Sequence, residues 1–260
     1  MTPNAIKIFI FGAGNVATHL LKVFLSHPDK IEITGAWNRH PEKLLHSFSG
    51  KIPVYTDLNS IPPADIYILA LKDDVVGEFS KKIARLNGLK VHTSGVLPID
   101  AINGKRKGYF YPLQSFHKAK DNYDWNEIPV FIHADNKKDL QLLEKLARII
   151  TPEVLKLDDE QKKVLHIAAV FANNFSNLMY IIADKIVSTE NIDFKYLLPL
   201  IKETVKRLES HSPRDVQTGP ARRKDEETMR KHLDWLKARN MNTEADIYRL
   251  LSQYITELYH

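Results

Sequence analysis

The 260-residue sequence contains no cysteine. Disulfides, thiol nucleophiles and cysteine-ligated metals are therefore excluded, and no metal site is expected. The same lack fits a reducing compartment, so a cytoplasmic location is the expectation. No apolar run approaches the roughly 20 residues that a membrane-spanning helix needs, and no signal-like segment precedes the first strand, so no membrane partner is expected. Internal repeats and low-complexity tracts are also missing, which removes solenoids and disordered tails. Neither sign of charge dominates: 37 Lys and Arg stand against 32 Asp and Glu, for a net +5. Because the bases are interleaved with acids, the excess points to small anionic molecules rather than to nucleic acid. What remains is ordinary for a globular chain, 43% hydrophobic and 27% charged, and long enough for two modest domains.

Ile6 to Ala17 carries the most information. An apolar strand runs into Gly12-Ala13-Gly14-Asn15-Val16-Ala17, a G-x-G-x-x-A turn that opens a helix. Gly12 permits the sharp turn, Gly14 lets bare backbone approach a pyrophosphate, and Ala17 lets the helix lie close to the strand. The pattern reads as a dinucleotide cradle, the alternative being a glycine-bearing turn that binds nothing. The second strand, Ile31–Trp37, ends in Asn38-Arg39-His40, where an NAD-specific site would place a carboxylate for the ribose 2′-hydroxyl. Arg39 instead offers a planar fork suited to a phosphate, and Lys43 follows at the start of the next helix. NADP(H) is therefore expected in preference to NAD(H), against the alternative that Arg39 is a solvated surface charge.

Strands and helices alternate through the first half in the manner of a doubly wound, mostly parallel sheet. A short strand is expected near Val54-Tyr55 and a buried one over 65–71, followed by Lys72-Asp73-Asp74, where an Asp is read as the N-cap of the next helix. The backbone at Ala70, Leu71 and Lys72 then lies at the carboxyl edge, where ligands collect. Two further strands end in Thr93-Ser94-Gly95 and in Leu113-Gln114-Ser115. Ser94 and Gln114 are thus candidates to bond a substrate, although 93–95 also reads as a plain turn and His92 as a satisfied strand residue. A last strand at Val130–Ala134 and a helix from Asn136 to Ile150 lead to Thr151-Pro152. Domains are expected at 1–152, Rossmann-like, and 153–260, all helical and free of strands.

In the second domain, one long helix is expected from Asp158 to Thr189, then helices near 194–210, 224–239 and 243–258. At ~100° per residue, Lys162, Asn173 and Asn177 fall within about 40° of the direction of His166, a polar stripe on a mostly apolar helix. His166 is a candidate proton donor and Asn173 a candidate for orienting the substrate; the alternative is a set of hydrogen bonds inside a core. Late in the chain, Thr218-Gly219-Pro220-Ala221-Arg222-Arg223-Lys224-Asp225 forms a compact loop in which Arg222 or Arg223 could grip a substrate carboxylate or cofactor phosphate and the turn at Thr218 could meet the substrate, the alternative being a solvated basic loop between helices. Thr218 and Asp225 are both read as helix caps.

Taken together, the cradle, His92-Thr93-Ser94-Gly95, Tyr111-Pro112-Leu113-Gln114-Ser115-Phe116, His166-Ile167-Ala168-Ala169 through Asn173-Asn174-Phe175, and Thr218–Arg222 resemble a family. Its members couple a Rossmann-like domain to a helical C-terminal domain of unknown function and are labelled NADP oxidoreductases. More distantly, the chain is similar to pyrroline-carboxylate reductase, ketopantoate reductase and the β-hydroxyacid dehydrogenases. Those dehydrogenases use a helical lysine with an asparagine four residues on, whereas Val170 stands four residues after His166 here. The resemblance implies hydride transfer to or from a small carbonyl or imine compound and a homodimer built through the helical domain. A nucleotide-binding sensor or interaction protein without turnover is the competing expectation.

Overall fold

A computed structural model describes residues 5–120 and 122–260. The chain divides into two compact units, Met1–Ala169 and Val170–His260.

The first unit is built on an eight-stranded sheet in the order β3-β2-β1-β4-β5-β6-β7-β8. Its strands are β1 (Ile6–Phe11), β2 (Ile31–Trp37), β3 (Val54–Tyr55), β4 (Ile66–Leu69), β5 (Leu89–His92), β6 (Lys107–Pro112), β7 (Val130–Ala134) and β8 (Val154–Lys156). All neighbours pair in parallel except β6 and β7. The expected Rossmann-type doubly wound sheet is therefore present. The order runs outward from β1 through β2 to β3, then resumes at β4 on the other side of β1. That reversal leaves a crevice at the carboxyl ends of β1 and β4.

Alternation along β1 sends Ile8 and Ile10 into one core layer with Leu20, Phe24 and Val91, and Phe9 and Phe11 into the opposite layer with Tyr67, Leu69 and Phe79. Helices α1 (Asn15–Leu25), α2 (Glu42–Phe48), α3 (Asp73–Lys82), α4 (Lys137–Ile150) and α5 (Asp159–Ala169) complete the unit. Helix α3 starts at Asp73 with Lys72 at its N-cap and no side-chain cap. Asp73 and Asp74 thus lie in the first turn, facing the positive end of the helix, instead of capping it as expected.

Strand β8 corrects the expectation of a strand-free region after Pro152. Val130, Phe131 and Ile132 of β7 leave an open edge, which Val154–Lys156 fills in parallel.

The second unit is helical, as expected, with a π-helical turn at Val170–Phe175, then α6 (Ser176–Ser188), α7 (Leu198–Arg207), α8 (Glu226–Ala238) and α9 (Asn242–Tyr259). The helical run Asp159–Ser188 is 30 residues long, and an 18-residue window within it has mean hydropathy 1.2. By length and composition alone it is long and apolar enough to cross a membrane. Asn173, Asn174, Ser176 and Asn177 break its apolar runs without lowering the window average below that level.

Candidate functional site

At the crevice, Phe11 pairs with Trp37 on one side and Leu69 on the other. The next residue, Gly12, donates its N–H to the Trp37 carbonyl at 2.8 Å with φ of +126°. A Cβ there would lie 2.2 Å from the Ala70 oxygen, so only glycine fits between the strands. Gly14 differs. It is the N-cap of α1, has an ordinary negative φ, and a Cβ on it would meet nothing within 4 Å. The first N–H groups of α1 therefore open towards free space.

That space is a cavity of about 940 Å³. Gly12, Ala13, Gly14, Asn15, Val16, Asn38, Arg39, Ala70, Leu71 and Lys72, the ten residues expected from sequence to hold a dinucleotide, all line it. Trp37, His40, Lys43, Thr93 and Lys118 line it as well, and Asp74 is its one carboxylate. No acid stands at the end of β2, and Arg39 is exposed with no hydrogen bond or ion pair among the described residues. The Asn15 side chain is used locally, donating to the Phe116 carbonyl at 2.8 Å. His19 approaches the neighbouring His117 carbonyl at 3.0 Å and stacks on Phe116, so the loop after β6 is fastened to α1. Lys118 reaches the cavity from this loop; no local pattern in the sequence singles it out.

A second cluster flanks Thr93. His92 is fully buried, and its Nδ1 accepts the Ser94 N–H at 3.2 Å, which leaves the proton on Nε2. The Pro98 backbone is the group that Nε2 faces, outside good hydrogen-bond geometry, so His92 is held in the strand by one good bond and one poor one. Burial, aided by the charge on Lys162, pushes the imidazole down to about 3, so it stays neutral. Ser94 Oγ accepts the N–H groups of Val96 and Leu97, both at 3.1 Å, and keeps its own proton for another acceptor.

Helix α5 is fastened along this loop. The Asp159 carboxylate accepts the Ile99 N–H at 3.0 Å. Lys162, entirely buried, donates to the Leu97 carbonyl and sits 3.9 Å above the Tyr109 ring. Burial pushes its ammonium below the ordinary lysine range, while Asp159, 3.4 Å away, works in the other direction. One turn further, His166 rests on Gly95: a Cβ there would lie 2.3 Å from Nδ1. The same Nδ1 is 3.0 Å from the Tyr111 hydroxyl. Sequence reasoning found His166 but missed Tyr111 and the burial of Lys162, because those partners are far apart in the chain.

Other expected residues are differently placed. Gln114 is exposed, with its Oε1 accepting the Ser115 N–H at 2.8 Å, so its amide N–H₂ is the group left for a ligand. The π-helical turn breaks the 100° spacing between His166 and Asn173, so the expected single polar stripe is not continuous. In the second unit, Asn173 is exposed on that turn. Thr218 borders an apolar cavity of about 280 Å³ with Met179, Ile186, Tyr248 and Leu251, and it caps no helix. Arg222 lies 4.0 Å above the Tyr259 ring. Asp225 caps α8 by accepting the Thr228 N–H at 3.0 Å, as expected. Among the described residues no group of three His, Asp or Glu side chains could hold a metal ion.

A reversing parallel sheet, a glycine turn and an open helix N-terminus beside a basic cavity define the class of Rossmann-type dinucleotide-cradle proteins. Residues 128–255 match the family model of a domain of unknown function, DUF2520. The structure superposes on that of a Bacteroides fragilis protein described as an NADP oxidoreductase, with 35% identity, TM-score 0.87, and 97% of this chain and 98% of that one covered. The chain belongs to that family. No curated protein sequence matches it. Two more distant structures share the fold. A reductive aminase from Aspergillus terreus in complex with NADPH and ethyl levulinate superposes with 12% identity, TM-score 0.71, and 98% of this chain and 95% of that one covered. Pyrroline carboxylate reductase from Plasmodium falciparum with NADP bound does so with 12% identity, TM-score 0.60, and 100% of each chain covered.

Proposed function

We propose that the protein is an NADP(H)-dependent oxidoreductase that moves hydride to or from a small anionic carbonyl or imine compound. The observation that carries this reading is the single cavity lined by all ten cradle residues, with an unpaired guanidinium where an NAD site would hold a carboxylate. Relatives described as an NADP oxidoreductase, a reductive aminase with NADPH and a pyrroline carboxylate reductase support it. The nicotinamide group would supply the hydride. The protein's part is to receive the pyrophosphate on the N–H groups of α1 over Gly14, and the 2′-phosphate on Arg39 and Lys43. Ser94 and Gln114 would donate hydrogen bonds to the substrate, and His166 would provide the proton.

Fluorescence titration with NADPH and NADH tests the cradle. Wild type is expected to prefer NADPH, and Arg39→Ala to weaken NADPH about 10- to 100-fold, the loss of one charge-assisted phosphate contact, with NADH unaffected. Failure of the wild type to bind either nucleotide below millimolar concentration would remove the oxidoreductase reading.

The same proposal includes a homodimer through the helical unit. Ala221, Leu236, Met241 and Ala245 are the only fully buried hydrophobic residues in Val170–His260, whereas Phe171, Leu200 and Leu250 are 65%, 67% and 68% exposed. So small a core does not offset the entropy of ordering such a unit, and exposed patches of this kind mark interfaces. Sedimentation should show twice the 29.9 kDa chain mass for wild type and a shift towards monomer for Leu250→Asp. A monomeric wild type would contradict it.

A further inference from the structure

We infer that Tyr111 is a positioning residue for His166, holding its Nδ1 as a hydrogen-bond acceptor so that the proton stands on Nε2. The substrate-facing consequence rests on the oxidoreductase reading; the arrangement itself does not.

Tyr111, next to the last residue of β6, is almost wholly buried, and the His166 Nδ1, at 3.0 Å, is the one partner of its hydroxyl among the described residues. Burial pushes the phenol up to about 12, so it keeps its proton at any working pH. A phenol has one proton to give. If Nδ1 carried a hydrogen and pointed it at the Tyr111 oxygen, the phenol proton would be left in a buried place without an acceptor. Donation from Tyr111 to Nδ1 satisfies both groups, and neutral imidazole then bears its proton on Nε2.

Gly95 fixes the ring from beneath. The imidazole occupies the volume of the missing side chain, since a Cβ would come within 2.3 Å of Nδ1, 2.7 Å of Cγ and 3.0 Å of Cε1. The loop that bears Gly95 is in turn held to α5 by Asp159 and Lys162. The ring is therefore clamped on one edge by glycine and on Nδ1 by the phenol. Nε2 has no protein partner among the described residues. Nε2–H is therefore the ring's free donor.

The arrangement is read directly by ¹⁵N NMR of histidine-labelled protein at alkaline pH, where free imidazole is neutral. The His166 signals are identified by their loss in His166→Gln. In wild type, Nε2 should appear protonated, and Nδ1 unprotonated but displaced from the free-imidazole position by an incoming hydrogen bond. In Tyr111→Phe, which removes only the hydroxyl, Nδ1 should move to the free position. Gly95→Ala, which pushes the ring off its seat while keeping the phenol, should move it likewise. A protonated Nδ1 in wild type, or an Nδ1 signal that does not move in Tyr111→Phe, overturns the inference. NADPH titration of the same samples separates the two proposals: Tyr111→Phe should bind as wild type does, and absence of binding by wild type would remove the oxidoreductase reading while leaving the Tyr111–His166 result standing.

Discussion

Gly12→Ala is expected to lose both stability and nucleotide binding, whereas Gly14→Ala loses binding alone. At Gly12 a side chain meets two obstacles. A φ of +126° is one that alanine rarely adopts, and its Cβ would sit 2.2 Å from the Ala70 carbonyl oxygen. Neither neighbour can yield easily, because Gly12 N–H is bonded to Trp37 and Ala70 N–H to the Phe11 carbonyl at 2.9 Å. Moving the strands apart would open the sheet at its centre. Backbone strain and overpacking of this kind cost about 2–5 kcal/mol together, a large share of the roughly 5–15 kcal/mol that holds a domain. At Gly14 the backbone is relaxed and a Cβ has open space, so thermal unfolding should be within about 0.5 kcal/mol of wild type, as for other unencumbered surface changes. Its methyl group would nonetheless intrude where a phosphate must approach. Thermal melts with NADPH titrations on the two variants separate these effects, and a Gly12→Ala protein as stable as wild type would refute the steric argument.

Asp139→Ala should produce the second large loss, with a distinctive pH dependence. The Asp139 carboxylate is buried in the first turn of α4. It accepts from Arg106 Nε at 3.0 Å, Arg106 Nη2 at 2.5 Å and Asn136 Nδ2 at 2.7 Å, while Asn136 caps the helix by accepting the Asp139 N–H at 2.9 Å. Burial alone would raise the carboxyl group's pKa, but the bonds from Arg106 and Asn136 outweigh it and hold the group below the usual carboxylate range. The folded value is thus lower than the unfolded one. The contribution is fully present above the ordinary carboxylate pKa and disappears as pH falls through the folded value. Arg106 is partly solvated and can hydrate when left alone, so the expected cost at neutral pH is about 2–3 kcal/mol rather than the 3–5 of a fully buried pair. Urea unfolding at pH 7 and at pH ~3 checks this: the gap between variant and wild type should narrow in acid. An equal gap at both would show that the carboxylate charge is not what stabilises α4.

The cradle was legible because its requirements are local. A glycine that must turn, a glycine that must stay bare and a small residue at the helix–strand contact each follow from backbone geometry over six residues. The end of β2 was legible for a similar reason, the absence of a carboxylate being as readable as its presence. The Tyr111–His166 pair was not, since its members are 55 residues apart and meet only because β6 and α5 belong to one unit. The burial of Lys162 was out of reach in the same way, since it depends on the Leu97 carbonyl and the Tyr109 ring. Strand β8 is three residues long, too short for periodicity, and exists because β7 offers an edge. The polar stripe failed because one π-helical turn shifts everything after it, a defect that no regular projection foresees.

Arg39 stands just past the last residue of β2, exposed and bonded to nothing else in the described chain, while Gly12, which shapes the turn of the cradle, is locked into the sheet. On the proposed reading, the parts that recognise a dinucleotide and the part that tells one dinucleotide from another are mechanically independent. Mutation at 39 can retune the choice between phosphorylated and unphosphorylated coenzyme without disturbing folding, so a lineage built on this scaffold can follow a change in cellular redox supply by drift at a single solvent-facing position.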